Sequence, residues 1–266
     1  MMFRELVWRH YRAHGRRGLP WRHTRDPYCI LVSEVMLQQT QVERVIPFYK
    51  KFVKKFPTAK KLAAAPLSEV LKAWQGLGYN RRAKMLQKTA KDIIAHHNGK
   101  LPRSVAELEM LPGIGPYTAR AVVAFAFNED VAVVETNIRT AILRHFFPKK
   151  KRVSDKEIEK ILKRTLPKGT SREWYSALMD YGAYLKRSGI SHNARSERYV
   201  RQSKFAGSLR EARGALLREL ARGTASHTRL TELYGAPRRS QLHTALRALR
   251  AEGLVEKVDG NYALAE

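Results

Sequence analysis

Cysteine is nearly absent from the sequence, which has a single residue of this type, Cys29, among 266. A disulfide within the chain needs two cysteines and a thiolate metal cluster needs several, so this composition excludes both. Cys29 lies in the apolar stretch 28–32, which predicts a buried and inert thiol. The nine histidines have no paired metal-ligand spacing. We therefore expect no bound metal and no other cofactor.

Long apolar runs are also missing. No stretch approaches the roughly 18 apolar residues that a membrane span needs. The first 17 residues are amphipathic and charged, and they lack the apolar centre of a secretory signal. We therefore expect a cytoplasmic protein, associated with the nucleoid if it binds DNA, with no membrane partner.

Acidic residues are scarce relative to basic ones. The chain has 51 Lys and Arg against 24 Asp and Glu, a net charge of +27. A field of this sign and size attracts a polyanion and speeds its capture. The alternative, a surface adapted only for solubility, usually mixes the two signs more evenly.

The periodicity of apolar residues predicts that residues 1–200 are nearly all helix. Apolar positions recur every three to four residues in 42–56, 67–74 and 83–94, and prolines separate these segments. Thr58 and Ser68 are predicted helix starts, and Ser154 with Glu157 has capping-box spacing.

The pattern changes near residues 203–208. Helices are predicted over 209–220, 228–234 and 238–250, and the tail 253–264 alternates around Asp259-Gly260, a β-hairpin turn signal. Three helices followed by a hairpin resemble a winged helix-turn-helix module, here residues 208–266. Arg239 and Arg247 of its third helix would then face a DNA groove. Such modules also dock proteins, so both partners stay open.

Residues 111–119, LPGIGPYTA, contain the most informative local motif. Gly113 and Gly115 permit a tight turn, and the apolar run that follows predicts a helix leaving it. Free N–H groups at a helix start, near Thr118, can bind a phosphate. A plain turn between two helices would explain Gly-x-Gly alone. Glu135 follows one helix length later, as part of VETN at 134–137.

This order of turn, helix and acid resembles the helix-hairpin-helix DNA glycosylases. Further stretches resemble the MutY-type adenine glycosylases of that superfamily, and they occur in the same order: LPWR at 19–22, RDPY at 25–28, SEVMLQQTQV at 33–42 and WQGLGY at 74–79. The resemblance extends over roughly residues 5–185. It implies a mainly α protein, with a two-lobed glycosylase domain over residues 1–200, its hairpin at about 108–122, and the small α+β module after it.

Cleavage of an N-glycosidic bond needs an acid for the leaving base and an anion for the sugar cation. Glu34 and Glu135 both have apolar neighbours in sequence, which predicts burial and, for an acid, a raised pKa. By resemblance, Glu34 protonates the purine at N7, and Tyr117 and Asn137 flank the sugar and the acids. Glu135 stands where the family has aspartate.

Reaching a base in a duplex requires flipping it out and filling the gap. By resemblance, Gln39 and Tyr79 are the wedge residues and Arg22 lies near the flipped base. Core packing is the alternative role for Tyr79. The full set of residues expected to contact DNA is Arg22, Gln39, Gln41, Tyr79, Arg81, Gly113, Gly115, Thr118, Arg239 and Arg247.

The sequence departs from the family in several places. Most members carry a four-cysteine iron–sulfur cluster, but Lys186 occupies the first ligand position here. Tyr117 stands where lyase-active relatives have a lysine, so we expect no lyase activity. The adenine-reading glutamine is replaced by Ser176 and a second tyrosine by Asn80. No Nudix-like domain is recognisable.

The sequence therefore predicts a base excision repair DNA glycosylase. Its expected substrate is adenine opposite guanine or 8-oxoguanine in duplex DNA, its partner is DNA with a mismatched or damaged base, and it is expected to be a monomer. One alternative is a glycosylase for mismatched thymine or uracil, or for a deaminated or damaged base. Another is a catalytically weak DNA-binding or regulatory protein.

Overall fold

The computed structural model describes residues 2–191, 193–195 and 204–266, and within them the chain is mainly helical. The α-helices, in chain order, are α1 (Phe3–His14), α2 (Pro27–Leu37), α3 (Val42–Lys55), α4 (Ala59–Ala64), α5 (Leu67–Trp74), α6 (Arg81–His96), α7 (Val105–Met110), α8 (Pro116–Phe127), α9 (Thr136–Phe146), α10 (Asp155–Thr165), α11 (Ser171–Arg187), α12 (Leu209–Leu220), α13 (His227–Thr231) and α14 (Arg239–Ala251). The strands are β1 (Val255–Val258) and β2 (Asn261–Leu264). None of the described helices is long and apolar enough to cross a membrane.

The chain divides into two compact units. Unit 1 consists of Met1–Glu34, Pro102–Met110 and Ile114–Arg201, and unit 2 of Val35–Leu101, Leu111–Gly113 and Gln202–Glu266. This division differs from the domains expected from sequence, because residues 208–266 share a unit with residues 35–101. The expected domain end at residue 200 lies outside the described residues.

Unit 1 is built around α11. This helix packs on α9, α8 and α1, and its Trp174 and Tyr175 are fully buried. The facing side of α9 contributes Ile138 and Ile142, which are also fully buried. Burial of such large apolar side chains stabilises the unit by about 2–3 kcal/mol for each. The unit therefore holds the start of α9 in a fixed place.

Unit 2 contains a helical part, residues 35–101, and the C-terminal module, residues 208–266. In the helical part α4 and α5 pack on α6, and the rings of Phe52 and Trp74 meet edge-on with centroids 5.6 Å apart. In the C-terminal module α12 packs on α14. Each of the two parts has its own buried apolar side chains.

The C-terminal module has the predicted order of three helices and a hairpin. β1 pairs antiparallel with β2, from Val255 opposite Leu264 to Val258 opposite Asn261. Asp259 and Gly260 both have positive φ, 47° and 81°, as a two-residue type I′ turn requires. The predicted α12 is confirmed residue for residue, whereas α13 ends at Thr231 and not at Tyr234.

Some local predictions are confirmed and others are wrong. Thr58 caps α4 by accepting a hydrogen bond from the Lys61 amide, and Ser154 forms the predicted capping box with Glu157. Ser68 does not start a helix, because α5 already begins at Leu67 after a proline and the serine is buried inside it. Cys29 is half-buried and not fully buried as predicted.

Candidate active site

The Glu34 carboxyl is buried in unit 1. Its residue is 4% exposed, and its helix α2 is apolar on nearly every side, with Leu31 and Val32 almost fully enclosed. The Tyr117 hydroxyl, from the first turn of α8, donates a hydrogen bond of 2.7 Å to Glu34 Oε2. The burial predicted from the apolar neighbours is therefore confirmed.

Burial raises the pKa of Glu34 to about 7. Loss of solvent is the main cause, because the charged form is poorly solvated in an apolar surrounding. The Tyr117 hydrogen bond opposes this by stabilising the carboxylate, and the charge of Glu135 adds to it. A pKa near neutrality lets the carboxyl hold a proton and also release it, which suits a general acid.

Glu135 caps the N-terminus of α9. Its Oε1 accepts hydrogen bonds from the amides of Asn137 at 2.7 Å and Ile138 at 2.8 Å. Its Oε2 accepts from the Thr136 hydroxyl at 3.1 Å and the Asn137 side-chain amide at 3.3 Å. The longer side chain curls back to fill the role that a shorter acid usually has at an N-cap. Contrary to the prediction, Glu135 is only half-buried.

Asn137 is held by α11 as well as by Glu135. A side-chain carbon at Gly182 would lie 2.0 Å from the Asn137 carbonyl oxygen, closer than any real contact. Only glycine therefore lets α11 approach the first turn of α9 this closely. This contact fixes the backbone that carries both Glu135 and Asn137.

Arg22 is bound to Asp180 through two hydrogen bonds of 2.7 and 2.9 Å. Asp180 is 2% exposed and also accepts hydrogen bonds from the backbone and guanidinium of Arg16. These partners hold the pKa of Asp180 below its usual value despite burial, which alone would raise it. Arg22 also donates a hydrogen bond to the carbonyl of Ser176. The Ser176 hydroxyl itself donates to the Arg172 carbonyl, one turn earlier in α11. The position predicted to lie near a flipped base is therefore a fixed cation.

The two glycines of the 111–119 motif have different surroundings. Gly113 belongs to unit 2, with φ +80°, and a side-chain carbon there would lie 2.7 Å from Met85 Cβ. The Thr89 hydroxyl stabilises this packing by donating a hydrogen bond of 2.6 Å to the Pro112 carbonyl. Gly115 belongs to unit 1, is exposed and is the N-cap residue of α8. Thr118, in the same helix, is buried and presents almost no surface to DNA, contrary to its predicted contact.

Gln39 and Tyr79, the predicted wedge residues, both have left-handed backbone, with φ of 54° and 48°. Such conformations cost side-chain-bearing residues about 1–3 kcal/mol and concentrate at functional sites. Gln39 is exposed and Tyr79 half-buried.

Arg82 links the turn that contains Gln39 to the turn that contains Tyr79, here called the two wedge turns. Nothing in the sequence distinguished it from Arg81. At the end of α2 and in the turn after it, its guanidinium donates hydrogen bonds to the carbonyls of Val35, Met36 and Gln38 and to the Thr40 hydroxyl. Just before α6, it donates a further hydrogen bond to the carbonyl of Gly78. It also lies 5.5 Å from the Tyr79 ring centroid. Burial lowers the pKa of Arg82 to about 10, so it remains charged at neutral pH.

The remaining predicted DNA contacts lie in unit 2 on exposed side chains. Gln41 is the exposed N-cap residue of α3, and Arg81 is exposed in the first turn of α6. On α14, Arg247 is exposed and Arg239 pairs with Glu232 at 3.0 Å.

The donor set does not fit an iron–sulfur cluster. Within residues 2–191, 193–195 and 204–266, no group of three or more His, Cys, Asp or Glu side chains could hold a metal ion. The single cysteine of the sequence is in α2, and at the position where the resemblance places the first thiolate ligand, Lys186 near the end of α11 offers an amine.

Residues 32–168, just over half of the chain, match the family described as the HhH-GPD superfamily of base excision DNA repair proteins. The chain belongs to this superfamily. The HhH-GPD fold is confirmed by the solved structure of a thermostable thymine-DNA glycosylase, which is 31% identical in sequence and superposes with a TM-score of 0.66. The match covers 72% of this chain and 89% of the chain of that glycosylase.

Several relatives of this HhH-GPD protein bear the name adenine DNA glycosylase, and two of them differ in how much of the chain they match. One, from Mycolicibacterium smegmatis, is 39% identical over 95% of this chain and 92% of its own length. That match must include most of residues 208–266. The other, from Buchnera aphidicola subsp. Baizongia pistaciae, is 39% identical over 70% of this chain and 53% of its own. The chain thus matches about half the length of the Buchnera relative.

Proposed function

We propose that the protein is a base excision repair glycosylase that removes adenine from a mismatched pair in duplex DNA. The observation that carries the proposal is the buried Glu34 carboxyl, whose pKa of about 7 lets it hold a proton at neutral pH. Adenine is a poor leaving group unless it is protonated, so its removal needs such an acid. The relatives named adenine DNA glycosylase support the same substrate.

The reaction follows from the two carboxyl groups of unit 1. Glu34 transfers its proton to N7 of the flipped adenine, and the bond between N9 and C1′ breaks with its electron pair leaving on the base. The negative charge of Glu135 stabilises the positive charge that develops on the sugar. The ionised Glu34 then accepts a proton from the water that attacks C1′. The products are free adenine and an abasic site.

The amine needed for a lyase step is missing from position 117. A lyase reaction begins when an amine attacks C1′ and forms a Schiff base, and a phenol cannot do this. The hydroxyl of Tyr117 is also engaged with Glu34. We propose that the protein is monofunctional and leaves the abasic strand intact.

DNA binding is assigned to exposed and strained positions of both units. In unit 2, Gln39 and Tyr79 fill the gap left by the flipped base, supported by Gln41, Arg81 and the backbone of Gly113. In unit 1, Gly115 and the amide groups at the start of α8 bind a phosphate. Arg22 orients the flipped base in unit 1. Arg239 and Arg247 of α14 contact the duplex. We propose that the protein acts as a monomer, opposite guanine or 8-oxoguanine, and without an iron–sulfur cluster.

Mismatched thymine is the second candidate substrate. One solved structure similar to this chain is that of a thymine-DNA glycosylase. By resemblance, Ser176 stands at the position that recognises adenine. It is buried, and its hydroxyl donates a hydrogen bond to the Arg172 carbonyl of the same helix. It therefore offers no long polar side chain to the edge of a purine.

The test is a single-turnover assay on end-labelled duplexes with A:G, A:8-oxoguanine, A:C, T:G and U:G pairs, each analysed with and without alkali. We expect strand breaks only after alkali, fastest for adenine opposite guanine or 8-oxoguanine. Glu34→Gln, which keeps the shape of the side chain but holds no acidic proton, should abolish them. Faster cleavage at T:G would favour the second candidate, breaks without alkali would contradict monofunctionality, and inert duplexes throughout would leave a DNA-binding protein.

A further inference from the structure

The C-terminal module contacts the predicted wedge residue directly. Arg210, in the first turn of α12, donates a hydrogen bond of 3.0 Å from Nη1 to the Tyr79 hydroxyl. Its guanidinium carbon also lies 5.6 Å from the centroid of the Tyr79 ring. A guanidinium at this distance is attracted to the ring, so Arg210 binds both the polar tip and the aromatic body of one side chain.

A second guanidinium, that of Arg82, contacts the same ring. It lies 5.5 Å from the ring centroid, and it donates hydrogen bonds to backbone carbonyls and to the Thr40 hydroxyl near Gln39 and Tyr79. Tyr79 itself has left-handed backbone, which a tyrosine rarely adopts without support from its surroundings. Two cations from two different helices therefore hold a residue whose conformation is intrinsically unfavourable.

The position of Arg210 is fixed by anchors elsewhere in unit 2. Lys84, one turn after Arg81 in α6, donates from Nζ to the carbonyls of Glu252 and Gly253 at 2.7 and 2.9 Å. These carbonyls lie just after the last residue of α14, where a cation is favoured by the helix dipole. Arg213 of α12 in turn pairs with both oxygens of Glu252 at 2.8 and 2.6 Å. The helix that carries Arg210 is thereby linked to the helix that follows Tyr79.

We propose that Arg210 is a positioning residue for Tyr79, so that the C-terminal module takes part in opening the base stack and is more than a separate DNA-binding attachment. The inference rests on the proposed function for the role of Tyr79 as a wedge. Arg210 keeps the ring in the conformation in which it enters the duplex, and it does so through the hydroxyl as well as through the ring face. The base-opening step therefore depends on a residue about 130 positions later in the chain.

A double-mutant cycle in the full-length protein tests this coupling. The variants are Arg210→Ala, Tyr79→Phe and the pair together, and the matched control is Arg218→Ala, which removes the same charge from an exposed position of α12. Base opening is followed by the fluorescence of 2-aminopurine next to the target in a duplex whose target sugar is 2′-fluorinated and cannot be cleaved. The single-turnover excision rate is measured on the cleavable duplex.

We expect Arg210→Ala and Tyr79→Phe each to lower the base-opening equilibrium by about tenfold, the effect of losing one hydrogen bond to a charged group. The pair together should be no worse than Arg210→Ala alone, because the second change removes a partner that is already missing. Arg210→Lys should recover part of the loss, and Arg218→Ala should stay within about twofold of the parent. Additive losses, or equal losses in Arg210→Ala and Arg218→Ala, would overturn the proposal.

Failure of the inference and failure of the proposed function can be told apart. If the parent excises no base from any duplex, the proposed function fails, while the fluorescence cycle still measures the coupling without chemistry. If the parent excises a base but the cycle is additive, only the role of Arg210 is refuted. Tyr79→Phe deletes a single oxygen atom, so the cycle keeps one arm that leaves the fold intact even if Arg210→Ala unfolds the module.

Discussion

At the residue scale, the environment of Glu34 determines when it can act as an acid. Burial of the carboxyl favours its neutral form, and the hydrogen bond from the Tyr117 hydroxyl favours the ionised one. The first effect is the larger, which is why the pKa lies above its ordinary value of 4.5 and not below it. The second effect comes from one hydroxyl group, so it can be separated from the first by mutation of Tyr117.

The pH dependence of excision should report the Glu34 proton. We expect a single-turnover rate that is flat below about pH 7 and falls tenfold per pH unit above it. Tyr117→Phe removes the hydrogen bond that stabilises the carboxylate, so the pKa rises further and the alkaline limb moves to higher pH. Tyr175→Phe, which removes a buried hydroxyl that donates to the Val131 carbonyl, is the control and should leave the profile in place. A shift of the Tyr117→Phe profile to lower pH would contradict this account.

The resemblance places an aspartate at position 135, and we expect Glu135 to suit this site better than that shorter acid would. Glu135→Asp keeps the charge but withdraws the carboxylate by about 1.5 Å, the length of one bond, and such a displacement can cost about a hundredfold in rate. Glu135→Gln removes the charge and should be slower still. Single-turnover rates on the best duplex measure the series, and urea unfolding checks that α9 keeps its cap. An Asp variant faster than the parent, or a Gln variant equal to it, would show that the site does not use the Glu135 charge in this way.

At the scale of elements, the segment after α11 is tied to α9 by Arg195. Its guanidinium donates to carbonyls at and beyond the end of α9, those of Leu143, Phe147, Pro148 and Lys150, at 2.9–3.3 Å. Its own carbonyl accepts from the Val153 amide at 3.0 Å. Asn193 adds a contact of 3.1 Å with the Thr140 hydroxyl. This is the region where most relatives are expected to hold a cluster, and here hydrogen bonds make the connection.

Arg195→Ala should therefore lower the free energy of unfolding by about 2 kcal/mol, since hydrogen bonds to charged groups are worth about 1.5–3 kcal/mol and several carbonyls lose their donor together. Urea unfolding followed by tryptophan fluorescence measures the loss. Arg187→Ala, at an exposed position in the last turn of α11, should change stability by less than about 0.5 kcal/mol. Equal effects of the two substitutions would mean that Arg195 does not hold the segment.

Elements with strong local signals were predictable from sequence and long-range contacts were not. The bounds of α5 and α12 follow from apolar spacing with a proline or a serine cap at the start, and the turn at Asp259 follows from its residue type. Burial of Glu34 followed from its apolar neighbours. The partial exposure of Glu135 did not, because it depends on how the side chain folds back onto α9. The contacts of Arg82 and Arg210 join residues up to 131 positions apart, and an isolated arginine in the sequence gives no sign of them.

At the scale of the whole molecule, the charge of +27 predicts DNA binding that weakens steeply with salt. Replacing both Arg239 and Arg247 by Ala should reduce the log–log salt slope by about 1.8, or about 0.9 for each phosphate that the variant no longer neutralises. The affinity of the variant for a mismatched duplex, measured by anisotropy between low and moderate salt, gives the slope. Arg247→Lys keeps the charge and should keep the parent slope. An unchanged slope in the double variant would favour a protein partner for the C-terminal module.

The proton held by Glu34 also ties catalysis to the stability of the whole fold. The unfolded chain ionises this group near its ordinary value of 4.5 and the folded chain only near 7. Below pH 4.5 both states are protonated, but between 4.5 and 7 the unfolded state gains by ionising, so the free energy of unfolding falls by up to about 3 kcal/mol as the pH rises through this window. The Glu34→Gln variant keeps its free energy of unfolding through this pH window, because a glutamine amide does not ionise. A laboratory selection for variants that survive heat at pH 8 would thus enrich substitutions at position 34, and the most durable molecules it recovered would be the ones that no longer repair DNA.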